Sequence, residues 1–139
     1  MLFDLTDSTN SADVVKRLYE AYAKRDIDAV LVELADDVDW AAEASSRSAP
    51  WYGPFRGKQS VPGFFAAIST QIDVSEFVPV TFTSNETDVV AVIRWTYTVK
   101  STQRTASMFM LHWWRVVDGK IVFFRGSEDT EQSARAFST

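Results

Sequence analysis

Between Thr105 and Arg125 the sequence reads TASMFMLHWWRVVDGKIVFFR, two alternating runs joined at Asp118-Gly119. An Asp-Gly pair between such runs is a strong hairpin signal. Strand side chains alternate between faces. The first run therefore puts Met108, Met110, His112, Trp114 and Val116 on one face. Phe109, Leu111, Trp113, Arg115 and Val117 fall on the other. Both faces are apolar, so both need cover. Helices of a small domain cover one face of its sheet. The other, through Phe109, Leu111 and Trp113, is expected to meet a second copy in a homodimer, since large exposed apolar patches are rare on monomers. The same run holds the chain's single histidine, His112.

The rest of the chain divides by period. Residues Val74–Phe82, Val89–Val99, Thr105–Val116 and Ile121–Arg125 alternate as strands. The connections TSNETD, KSTQR and VDGK are short enough for antiparallel hairpins. Ahead of Val74 the spacing is helical. Over Ser11–Lys24, residues Val14, Val15, Leu18, Tyr19, Ala21 and Tyr22 make one apolar face, with Asn10 or Ser11 as cap. DIDAVLVEL predicts a second, short helix capped by Asp26, and ADDVDW a brief strand over Val38–Trp40. SSRSAPWYGPFRGK reads as a loop. A third helix is expected over roughly Lys58–Ile68, with Pro62 tolerated in its first turn. A last short helix begins near Asp129 or Thr130. Residues 1–10 read as a flexible arm. Helices followed by a strand meander define an α+β fold, and 139 residues suit a single domain.

Composition narrows the function. The net charge is -5 with no Lys/Arg cluster, which argues against a nucleic-acid partner. No apolar run approaches the ~18 residues of a membrane span. The start MLFDLTDSTN has neither a basic region nor an apolar core of a signal peptide, so the cytoplasm is the expected compartment. There is no cysteine, and with one histidine a catalytic zinc site is not expected. Nucleophile-elbow, phosphate-loop and dinucleotide motifs are missing, so no cofactor is indicated.

Three stretches in order, LYEAYAKRDIDAVLVELADDVDW, YGPFRGKQSVPGFF and HWWRVVDGKIVFFRGSEDT, make the chain resemble the nuclear transport factor 2-like superfamily. The likeness is strongest to its SnoaL-like and ketosteroid-isomerase-related branch. The resemblance implies a cone-shaped curved sheet wrapped around the N-terminal helices, with a deep apolar pocket between them. It does not carry over the usual catalytic set. The general-base Asp of ketosteroid isomerases falls at Ala42, their oxyanion Tyr at Leu18 and their neutral Asp at His112. The catalytic Asp of SnoaL-type cyclases falls at Gly126, while their His is retained as His112. Scytalone-dehydratase-like members have a His there too, with a helix-one Tyr at Tyr22, but their supporting Asp falls at Ala23. The Arg-x-Asp pair of epoxide hydrolases of this fold becomes Arg94, Trp95, Thr96.

What survives is a His112 and Tyr22 pair in an aromatic pocket. Desolvation there disfavours the imidazolium, so a neutral ring is expected. Such a ring can exchange protons or donate to an oxyanion. Asp129 reads as a helix cap with a possible catalytic role. Glu128 reads as an exposed end-of-strand charge, or else as a second acid or base. Expected pocket walls are Trp40, Tyr52, Phe55 and Phe64 from the first half. Arg94, Trp95, Met110, Trp114 and Phe124 would complete them. The expectation is a cofactor-free isomerase, dehydratase or cyclase acting on a small, mainly apolar cyclic molecule. Its alternative is a non-catalytic binding or interaction module of the same fold.

Overall fold

The computed structural model describes residues 10–139. The arm expected over residues 1–10 lies outside them except for Asn10. That residue is no part of a flexible arm, because its side chain accepts from the backbone N–H groups of Ala12 and Asp13 at 3.0 and 3.3 Å and caps α1 (Ser11–Ala23). Then come α2 (Ile27–Val32), β1 (Leu34–Ala42), β2 (Gly53–Pro54), a 3-10 turn (Lys58–Ser60), α3 (Val61–Gln71) and β3 (Ile72–Ser84). The chain closes with β4 (Asp88–Val99), β5 (Thr105–Val117), β6 (Lys120–Ser127) and α4 (Thr130–Phe137).

The sheet order is β2-β1-β6-β5-β4-β3. The meander β3 to β6 is antiparallel as expected, while β1 returns to pair parallel with β6, making the sheet mixed. Two segments differ from the sequence reading. The second helix stops at Val32, and the following strand runs from Leu34 instead of only Val38–Trp40. Its pairing with β6 supplies the reason: Leu34 lies opposite Ile121 and Trp40 opposite Phe124, so sheet hydrogen bonds replace helical ones. The third helix starts as a 3-10 turn and extends to Gln71, where Ile72 opens β3 without a loop.

Burial along β4 and β5 alternates strictly over most of their length, as a half-covered sheet requires. Val89, Ala91, Ile93, Trp95 and Tyr97 point inward from β4. Met108, Met110, His112 and Trp114 do so from β5. Helix α1 sends Val14, Val15, Leu18, Tyr19 and Tyr22 onto this face. The opposite face stays open. Phe109 is 61% exposed, Leu111 48% and Trp113 42%.

The β5–β6 turn has positive φ at both Asp118 (51°) and Gly119 (76°), the pattern of the two-residue turn that matches strand twist. The turn pairs Val117 with Lys120 and Val116 with Ile121, and a register shift just beyond them brings His112 opposite Gly126. A left-handed conformation costs a β-branched residue roughly 1–2 kcal/mol. Gly119→Val is therefore expected to lower unfolding free energy by about that amount in urea titrations. A neutral outcome would show that position 119 does not hold a left-handed conformation in the folded protein.

Candidate functional site

Aromatic side chains line a cavity between the inner sheet face and helices α1 and α3. Strands contribute Trp40, Trp95, Met110, Trp114 and Phe124. Helices contribute Leu18, Tyr19, Tyr22, Phe64, Phe65 and Ile68. Its free volume is about 60 Å³. That is below the ~150 Å³ of an apolar cavity that admits benzene, so a ring enters only if side chains move. Tyr22, Phe65 and Ile68 also line an outer groove with Arg25 and Pro62. At this point the wall between cavity and solvent is one side chain thick.

His112 sits in the cavity wall and is 8% exposed. Its Nδ1 lies 2.8 Å from the Tyr19 hydroxyl. That same hydroxyl accepts from the Trp114 indole N–H at 3.0 Å. Three residues from two elements thus share one chain of hydrogen bonds. Indole can only donate. Were Nδ1 also a donor, the Tyr19 oxygen would accept twice and its own hydrogen would be buried without an acceptor. The arrangement that pairs both the Trp114 and the Tyr19 hydrogens runs Trp114 N–H to Tyr19 O, then Tyr19 O–H to His112 Nδ1. The imidazole proton then belongs on Nε2. That nitrogen has no hydrogen-bond partner among the described residues and is not sealed from water-sized space, so it faces the cavity.

Burial sets the charge state. Desolvation pushes the His112 pKa down to about 3, so the ring is neutral near pH 7. The Tyr19 hydroxyl is pushed far above its usual range by burial, against a smaller opposing effect of the Trp114 hydrogen bond. The relay is therefore a set of neutral dipoles that polarise one another in the same direction.

Glu128 closes another part of the cavity. It follows β6 directly, yet it is not the exposed end-of-strand charge favoured by the sequence. Trp51 Nε1 donates to its Oε1 at 2.7 Å, and Tyr52 Oη to its Oε2 at 3.0 Å. The Ser133 hydroxyl donates to Oε2 as well, and Tyr97 Oη donates to Ser133 Oγ at 2.7 Å. Burial raises the Glu128 pKa, and the three donors only partly offset that. Asp129 caps α4 by accepting from the Gln132 backbone N–H at 3.1 Å.

The structure brings together most of the expected site, with corrections. Trp40, Phe64, Trp95, Met110, Trp114 and Phe124 line the cavity with His112. Tyr22 lines it too, but the hydroxyl bonded to His112 is that of Tyr19, one helical turn earlier. Tyr22 instead packs on Phe65 and Phe77 and lies under the Arg25 guanidinium. Tyr52 stands outside the cavity and reaches in only through Glu128. Phe55 is a layer further out, stacked edge-on against Phe64. Arg94 is on the outer sheet face, over Phe109 and beside Glu76, because it alternates out of phase with Ile93 and Trp95. Tyr19 had a readable signal: the buried N–H of Trp114 needs an acceptor, and a tyrosine on the apolar face of α1 can supply one.

A SnoaL-like domain model matches residues 15–124, and the chain belongs to that family. The fold is that of the nuclear transport factor 2-like proteins. One such protein from Burkholderia pseudomallei is 27% identical, with a TM-score of 0.85 over 94% of this chain and 98% of its own. Another, from Burkholderia xenovorans, is 26% identical with a TM-score of 0.83 over 93% and 96%. TerC, crystallised with polyporic acid, shares the fold at 21% identity, TM-score 0.80, over 94% of this chain and 99% of its own. An LEH-like epoxide hydrolase of M. tuberculosis and a designed 17-OHP binder share it at 15% and 18% identity. No curated protein is similar in sequence.

The depressed histidine makes a prediction about stability. The unfolded chain takes up a proton on His112 near pH 6.5, and the folded one does not until about pH 3. This contribution is complete above pH 6.5 and is lost as pH falls toward 3. Within that window wild type should lose about 1.4 kcal/mol per pH unit relative to His112→Gln. Parallel curves for the two proteins in chemical denaturation would show that His112 is not buried as described.

Proposed function

We propose that the protein is a cofactor-independent acid–base enzyme of the isomerase, dehydratase or cyclase type, acting on a small, mainly apolar cyclic molecule. The observation that carries this reading is the neutral His112 ring, pinned at Nδ1 by Tyr19, with Nε2 left facing an aromatic-walled cavity. A fixed N–H in a low-dielectric site stabilises the negative charge that develops on a substrate oxygen while a carbon-bound proton passes to water, and needs no reorganisation to do so. Tyr22 and Phe65 swing aside to admit the ring, because the resting cavity is too small for one. Tyr22 then lies against the ligand. TerC and the designed 17-OHP binder support the use of this fold for small molecules.

A binding module is the second reading, and one observation favours it. The partner that orients His112 is a phenol, and Ala23, Ala42 and Gly126 hold no carboxylate where enzymes of the resembling families place theirs. Proton exchange separates the two. A panel of monocyclic ketones and enones in D₂O should include one whose carbon-bound protons exchange faster with the protein than in buffer. His112→Gln should then lower that rate by about 10²–10⁴-fold, with little change in binding. Ligands that bind without any exchange would establish the module instead.

We further infer that two copies associate through the outer sheet face in the cytoplasm. Phe109, Leu111 and Trp113 form an exposed apolar row along β5. Arg94 stacks over Phe109, and Arg115, held by Asp88 at 2.9 Å, lies over Trp113. A two-fold axis would set one row against its copy, with the arginines at the rim. Light scattering should report a dimer at tens of micromolar (roughly where a micromolar interface fills) and a monomer for Trp113→Lys. A wild-type monomer would refute the interface.

A further inference from the structure

The cavity has two polar groups with opposite hydrogen-bonding character. His112 offers a donor at Nε2. Glu128 is the one carboxyl group that lines the cavity. Its Oε1 takes a single donor, Trp51, whereas Oε2 takes both Tyr52 and Ser133. A carboxylate has about four acceptor sites, so at least one on Oε1 is left over. No Lys or Arg among the described residues pairs with it, because all its partners are neutral donors.

The end of the β5–β6 ladder brings these groups to one cavity. His112 lies opposite Gly126 near the end of the β5–β6 pairing, and Glu128 follows just beyond the end of β6; both line the cavity. Gly126 lines the same cavity and adds no side chain to it, and the Phe124 ring fills the place that a side chain there would take. A Cβ there would come within 3.1 Å of the Phe124 ring and 3.8 Å of the His112 ring. A ring admitted to the cavity by side-chain movement thus has both polar groups in its wall.

We propose that Glu128 is a specificity-determining residue, and that the ligand is a neutral monocyclic molecule with a carbonyl or ether oxygen at one end and an O–H or N–H at the other. The oxygen accepts from His112 Nε2, and the hydroxyl or amine donates to Glu128 Oε1. The hydroxyaryl ketones are the simplest members of this class. Unsubstituted aromatic hydrocarbons are excluded, because they leave a buried carboxylate acceptor unpaired. Anions are excluded because they would face a carboxylate with no cation beside it. The proposal rests on the cavity being a ligand pocket, as in the proposed function. Burial of Glu128 supports it: a desolvated carboxylate gains more from one added donor than an exposed one does.

The test is an NMR titration with 4-hydroxyacetophenone, acetophenone and 4-methoxyacetophenone. The hydroxylated probe should bind wild type at least about tenfold tighter than either analogue, the usual worth of a hydrogen bond to a charged group. Glu128→Gln should reduce that ratio to within about threefold. Tyr52→Phe keeps the carboxylate and should keep the preference, so it decides the matter if Glu128→Gln does not fold. Gly126→Ala should weaken the ketones that bind. Equal binding of the three probes to wild type would overturn the proposal and leave the ligand pocket standing. A hydroxyl preference that survives Glu128→Gln, or is lost in a folded Tyr52→Phe, would overturn it too. Failure of all three probes to bind would overturn both the proposal and the pocket.

Discussion

The chain of hydrogen bonds from Trp114 through Tyr19 to His112 is the interaction on which the site depends. It solves a problem created by the sheet. Alternation along β5 turns both His112 and Trp114 inward, into a core that is otherwise aromatic and aliphatic. Each brings a polar group that burial would leave stranded at a cost of about 1–3 kcal/mol. One tyrosine hydroxyl, projected from α1, answers both. Since indole only donates, the direction of the whole chain is settled at Trp114. The end of the chain is then a donor aimed at open space. Pairing the Trp114 and Tyr19 hydrogens thus produces a chemical property of the cavity, whereas the buried Trp40 N–H in the same wall has no partner among the described residues.

Much of this was legible in the alternating pattern of the sequence. The Asp118-Gly119 turn, the inward set Met110, His112, Trp114 and the outward set Phe109, Leu111, Trp113 all follow from a period of two. The helical face of α1 was equally plain. The parts that were not legible depend on distance across the fold. Whether Tyr19 or Tyr22 meets His112 turns on the rotation of α1 over the sheet, because both lie on its buried face. The burial of Glu128 depends on Trp51, Tyr52 and Ser133 arriving from the loop before β2 and from α4. Nothing in the local sequence around Glu128 distinguishes it from an exposed strand-end charge. Arg94 shows the converse: the alternation already placed it outside, and only an analogy with epoxide hydrolases suggested a pocket role.

The two sheet faces divide the work of the molecule. The inner face is closed by helices and holds nearly all the polar exceptions as satisfied pairs. The outer face keeps its aromatic row at the surface and surrounds it with paired arginines, among them Arg115 with Asp88 and Arg125 with Asp39 at 3.0 Å. Asp88 is held well below the usual carboxylate range by its hydrogen bond to Arg115. These pairs are half-buried at the rim of the row. Their effect is to hold side chains flat beside the apolar row.

His112 presents an N–H, not a lone pair, to the cavity. A single imidazole makes this directly measurable, because ¹⁵N labelling of histidine gives one ring and one pair of nitrogen resonances. At neutral pH Nδ1 should be pyridine-type and Nε2 protonated and pyrrole-type, with Tyr19→Phe shifting the ring away from that pure tautomer. A protonated Nδ1 in the wild-type protein, or an imidazolium at pH 7, would contradict it.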